Sequence, residues 1–202
     1  MRARHAASVV LAVALAATLA GGLAACSNDP LAEQYRAGDN KGFIAANGFE
    51  VKELAEAERG DPVAFEGKTE AGATVSSADY TGDVLVVNFW YAGCGPCRAE
   101  APQLEKAYAS FAGEAVSFLG VNTSDSPAVA SAFANDYGIT YPSLIAATDG
   151  AIKLAFAEAT PLNATPTTLV IDKQGRVAAR VIGQLEDASI LQTLVQDALD
   201  AP

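Results

Sequence analysis

An α/β fold around a mixed central sheet is what this sequence predicts, and three observations predict it. Residues 84–90, Val-Leu-Val-Val-Asn-Phe-Trp, make a run apolar enough for a central strand covered on both faces. Segments of helical and strand-like pattern then alternate from residue 96 to residue 157. Finally, residues 167–171 and 176–182 flank Lys173-Gln174-Gly175, the pattern of an antiparallel hairpin. Crossover and hairpin connections in one sheet make it mixed, with helices covering its faces.

The elements follow in order. Residues 27–62 are polar and mixed, with Gly38, Gly42, Gly48 and Gly60, and read as a tether holding a short helix near 51–59. Residues 63–65 and 73–75, separated by Glu70-Ala71-Gly72, read as an N-terminal hairpin, followed by a capped turn over 76–80. After the central strand a helix is expected over 96–111. Pro96 suits its first position, where a missing N–H costs nothing. Pro102 sits inside it and should kink it. Next come a strand over 116–121 and a helix over 128–137 ended by Gly138. A weak strand over 143–146 and a short helix over 152–157 precede the C-terminal hairpin. An amphipathic helix over 187–199 closes the chain.

The chain has 202 residues, half of them apolar, enough for one domain with appendages. Acidic residues outnumber basic ones 24 to 13, and no basic run occurs, which argues against nucleic acid as a partner. Residues 1–25 read as a secretory signal: Arg2 and Arg4 precede an apolar stretch over 6–23. Leu23-Ala24-Ala25-Cys26 resembles the bacterial lipobox. That resemblance implies cleavage before Cys26 and lipid on it, leaving residues 26–62 as a lipid-anchored tether and 63–202 as the folded domain. The apolar stretch is also about long enough to span a bilayer, so an uncleaved anchor is the alternative. Either way the domain faces the extracytoplasmic side of the membrane, where disulfides persist.

Removal of the signal takes His5, the single histidine, with it. Lipid on Cys26 would leave Cys94 and Cys97 as the free thiols. They lie in Cys94-Gly95-Pro96-Cys97, where a buried strand ends and a helix begins. Backbone N–H groups at a helix N-terminus favour an anion, and the thiolate is the nucleophile in disulfide exchange. Cys94, at the lip, is expected to be exposed and to attack first. Cys97, inside the helix, is expected to be more buried and to resolve the mixed disulfide. A structural zinc site needs about four Cys or His ligands, which the processed chain lacks, so no metal and no cofactor is expected. Arg98, in place of histidine after the second cysteine, argues against haem attachment. A structural disulfide over so short a loop would remove little chain entropy.

The stretch Asn88-Phe89-Trp90 through Cys94-Gly95-Pro96-Cys97-Arg98-Ala99-Glu100-Ala101-Pro102 resembles the thioredoxin superfamily, and within it the extracytoplasmic TlpA/ResA-type proteins. The resemblance runs from about residue 62 to the C-terminus. It implies a thioredoxin-like fold and thiol–disulfide oxidoreductase activity on protein disulfides. Apocytochrome c thiols would be one client class, and a membrane electron donor would supply the reductant. It further implies that Pro166, after Thr165, is cis beside the disulfide, with neighbouring backbone that takes substrate as an added strand. Pro166 is favoured for this over Pro142 and Pro161.

Thioredoxin carries a buried aspartate six residues before its first cysteine, where this chain has Asn88. Something else must then manage the proton of Cys97. Glu100 lies three residues after it, on the same helix face one turn on. If buried, its raised pKa would let it shuttle a proton. Trp90 is expected to shield the disulfide, and Gly95 and Pro96 to shape its ring. Three rival functions stay open: a disulfide-forming oxidase, a peroxiredoxin-type peroxidase, and a non-catalytic lipoprotein adaptor. The close pairing of the cysteines disfavours the peroxidase.

Overall fold

The computed structural model describes residues 42–44, 48–161 and 164–201. The expected signal segment, Cys26 and the first part of the expected tether lie outside them. The main sheet has seven strands in the order β1-β2-β9-β8-β5-β6-β7. These are β1 (Gly42–Ile44), β2 (Glu50–Glu53), β5 (Val84–Trp90), β6 (Val116–Asn122), β7 (Ser143–Ile145), β8 (Thr167–Ile171) and β9 (Val177–Ile182). A separate two-stranded hairpin comprises β3 (Glu66–Lys68) and β4 (Thr74–Ser76). The four α-helices in the described residues are α1 (Gly95–Ser110), α2 (Pro127–Tyr137), α3 (Gly150–Ala155) and α4 (Ala188–Asp200).

The sheet is mixed, as expected. β5, β6 and β7 run parallel, joined through helices, while β8 runs antiparallel beside β5 and β9 antiparallel beside β8. Every residue of β5 is buried, and the two-residue strand period divides them between two cores. Val84 and Val86 pack with Leu104, Leu191 and Val195, under α1 and α4. Leu85, Val87 and Phe89 pack on the other face with Phe65, just before β3, and with Ile152 and Phe156 from the α3 region. Trp90 ends the strand in a third cluster with Cys94, Cys97, Phe133 and Ile145. α2 ends where Gly138 takes the left-handed conformation at φ 69°, which glycine adopts without a Cβ clash.

One expectation is corrected. In place of one helix over 51–59 the chain has β2 and then a single 3-10 turn at Glu56–Glu58, and residues 50–62 are not tether. β2 pairs antiparallel with β9, Val51 opposite Val181. Leu54 N donates to Ala178 O at 2.8 Å, Arg59 ion-pairs with buried Asp172 at 2.9 Å, and Val63 N donates to Gly175 O at 2.8 Å. Residues 50–63 are therefore integral to the folded unit. A polar-looking strand here follows from its position near the sheet edge, where one residue in the four, Val51, is buried.

Candidate active site

The site forms where β5 hands over to α1. Cys94 is the N-cap of α1, and its Sγ accepts from Cys97 N at 3.1 Å. Serine or aspartate oxygen usually fills this role, satisfying one of the four free N–H groups of a helix start. Here sulfur takes it, so a thiolate at Cys94 meets a backbone donor and the positive end of the helix. Pro96 lies in the first turn without displacing a hydrogen bond. Gly95 and Pro96 are exposed over the ring that the Cys94–Cys97 disulfide closes. Both sulfurs belong to buried residues: Cys94 is 4% exposed and Cys97 2%. The expectation of an exposed Cys94 is thus corrected. In the oxidised ring its sulfur is turned onto the helix start and packed against the Trp90 cluster.

The lip before Cys94 is held from two sides. Ala92 N donates to an Asp125 carboxylate oxygen at 2.6 Å, and Arg98 donates to Ala92 O at 3.0 Å. Asp125 is itself oriented by Asn122, whose Nδ2 donates to the same oxygen at 2.8 Å. Thr123 N donates to Trp90 O at 3.0 Å. The loop after β6 therefore clasps the loop after β5.

Behind the disulfide the partners are buried side chains. A cavity of about 10 Å³ is lined by Cys97, Asn88, Trp90, Tyr141 and Ser143 among others. Asn88 Nδ2 donates to Glu100 Oε1 at 2.9 Å and to Thr168 Oγ1 at 3.1 Å. Register explains the second bond, since Asn88 and Thr168 face each other across β5 and β8. Leu185 N donates to Glu100 Oε2 at 2.9 Å. Glu100 is 1% exposed. Burial pushes its carboxyl up to about 7, against the two hydrogen bonds that favour its charged form. A carboxyl near neutral can exchange a proton at working pH.

Thr165–Pro166 is a cis peptide. Pro166 is buried, Thr165 is half-buried, and the next residue, Thr167, lies opposite Phe89. That pairing puts the cis bond level with the end of β5, where the disulfide loop begins. Sequence reasoning missed Asp125, Thr168 and the Leu185 amide. Asp125 had one legible signal, a polar Asn-Thr-Ser-Asp loop at the carboxyl end of a parallel strand, the place where α/β sheets build sites.

A thioredoxin-like domain with a cysteine pair at the start of its first long helix is the class that this fold and site define. The chain belongs to the AhpC/TSA family, whose model matches residues 60–180. It is 31% identical over 116 residues to the thiol-disulfide oxidoreductase ResA of Geobacillus thermodenitrificans. That match spans 57% of this chain and 64% of the relative's length. A DsbF homologue from Corynebacterium diphtheriae superposes with a TM-score of 0.64 at 30% identity, over 77% of this chain and 97% of that one. A secreted thiol-disulfide isomerase from Corynebacterium glutamicum superposes with a TM-score of 0.69 at 25% identity, over 79% and 97%. The TlpA/ResA-type resemblance and the thioredoxin-like fold are thereby established.

Proposed function

We propose that this protein is an extracytoplasmic thiol–disulfide oxidoreductase that reduces protein disulfides. The observation that carries the reading is the Cys94–Cys97 disulfide at the N-terminus of α1, with Cys94 sulfur on the Cys97 amide. In the reduced form, Cys94 thiolate attacks a client disulfide. A Cys94–client bond forms, and the other client sulfur leaves as a thiolate. Cys97 then attacks the Cys94 sulfur, closing the ring seen here and releasing the second client thiol. Two electrons pass from the dithiol to the client, and Glu100 receives the Cys97 proton. Client backbone would lie along Thr165 and Pro166, as the family resemblance implies. Apocytochrome c is one client class that fits, and a membrane donor would re-reduce the pair.

Among the described residues no helix is long and apolar enough to cross a membrane. Attachment would therefore rest on Cys26 lipid or on the apolar stretch before it. Cys26→Ser should release the protein from membranes, and tight retention would refute the lipid anchor.

The direction of electron flow is tested by equilibrating the pair with glutathione and following the single tryptophan, Trp90. A potential near that of thioredoxin, about −270 mV, supports a reductase, whereas one near that of DsbA, about −120 mV, would make it a disulfide-forming enzyme.

A further inference from the structure

We infer that Glu70 and Ser143 are positioning residues for the redox site, through which the β3–β4 hairpin fixes the Trp90 indole against the disulfide. The inference rests on reading Cys94–Cys97 as the redox pair. Trp90 is 6% exposed and packs in one cluster with both cysteines. Its ring lies 4.3 Å from that of Phe133. The indole Nε1 donates to Ser143 Oγ at 3.2 Å, a buried bond.

Gly120, opposite Ser143 in the β6–β7 register, makes that bond possible. A Cβ there would come 2.1 Å from Ser143 Oγ and 2.8 Å from Trp90 Nε1, distances no packed side chain tolerates. A glycine with ordinary backbone in a central strand usually marks close approach of another group, and here the group is the indole–hydroxyl pair.

Ser143 is in turn held by one residue of the hairpin. β7 is one of the two edge strands, so its outward N–H and C=O lack a partner within that sheet. Glu70 supplies both. Its carboxylate accepts from Ser143 N at 2.8 Å, and its own N–H donates to Ser143 O at 3.0 Å. The turn that presents Glu70 is closed by Thr69, which bonds Ala73 through backbone and hydroxyl. A bridge from Thr69 to Leu144 continues the contact. The path from hairpin to disulfide is thus Glu70, the Ser143 backbone, the Ser143 hydroxyl, the indole, the sulfurs. Protection of an edge strand would need the backbone contacts alone; this path also ties hairpin position to the group covering the disulfide.

The test uses the folded protein in oxidised and reduced states, with Trp90 emission and the rate of disulfide exchange as readouts. Ser143→Ala and Glu70→Ala should each shift the emission and shrink its difference between the two redox states. Each should change the exchange rate by about three- to tenfold, the range one hydrogen bond corresponds to. Glu70→Gln keeps an acceptor oxygen and should restore both readouts. Lys68→Ala, exposed on the same hairpin, should leave them alone. If Glu70→Ala lowers the melting temperature but leaves emission and exchange as in the parent, Glu70 only caps an edge and the inference fails. A parent protein that exchanges no disulfides would sink the proposed activity, while the emission arm would still decide the Glu70–Ser143 path.

Discussion

The two sulfurs of the disulfide have differently built surroundings. Cys94 meets backbone groups and the lip: the Cys97 amide, with Ala92 held between Asp125 and Arg98. Cys97 shares a small cavity with Asn88, whose amide joins Glu100 and Thr168, and Glu100 also takes the Leu185 backbone N–H. The first setting stabilises a thiolate by dipoles that do not titrate. The second holds a group that does. The difference fits a division of labour in which the front favours the nucleophilic thiolate and the back handles a proton near neutrality.

The largest test separates the two sulfurs. Cys94→Ser should lower exchange by on the order of 10³-fold or more, because the attacking thiolate is gone. Cys97→Ser should instead accumulate a mixed disulfide through Cys94, visible on a non-reducing gel. Equal failure of both variants to trap a client would remove the asymmetry.

The back is tested by pH. Glu100 is raised from 4.5 to about 7 in the folded state, so folding favours its protonated form. Its stabilising contribution is full below about 4.5 and is lost as pH rises through about 7, a swing of roughly 3 kcal/mol. Glu100→Gln should flatten that slope in urea unfolding series between pH 4.5 and 8. A slope that survives would assign the titration elsewhere. Asn88→Ala removes a bond that favours the charged carboxylate. The neutral limb of the exchange pH profile should then move upward, and no movement would detach Asn88 from the proton step.

The lip should respond least. Asp125→Ala frees the Ala92 amide and should cost about 1–3 kcal/mol, read as a lower urea midpoint with faster hydrogen exchange at Ala92. Arg98→Ala, at an exposed bond, should cost under about 1 kcal/mol. Both should leave the pH profile in place, and a shifted limb in either would join the two regions.

The halves also differ in how far they could be read from sequence. The cysteine pair, the helix start and the buried strand lie within consecutive residues, and the structure finds β5 over 84–90 as expected. Pro166 was legible from the family resemblance together with its place before a strand, and it is cis. Glu100 was legible as a helix-face neighbour of Cys97, but its burial was only a condition. Its partners lie 12 and 85 residues away in sequence, and Thr168 lies 80 from Asn88. β2 was missed for the same reason, because Val51 and Val181 meet only in the assembled sheet.

The chemistry, a sulfur pair at a strand-to-helix junction, is written in adjacent residues, where helix starts and apolar runs are legible. The setting of that chemistry came from the assembled fold, which buried Cys94 and Glu100, aimed Asp125 at Ala92, and brought Glu70 and Gly120 to Ser143. Desolvation and long-range hydrogen bonds depend on which distant segments meet, and no local periodicity records that.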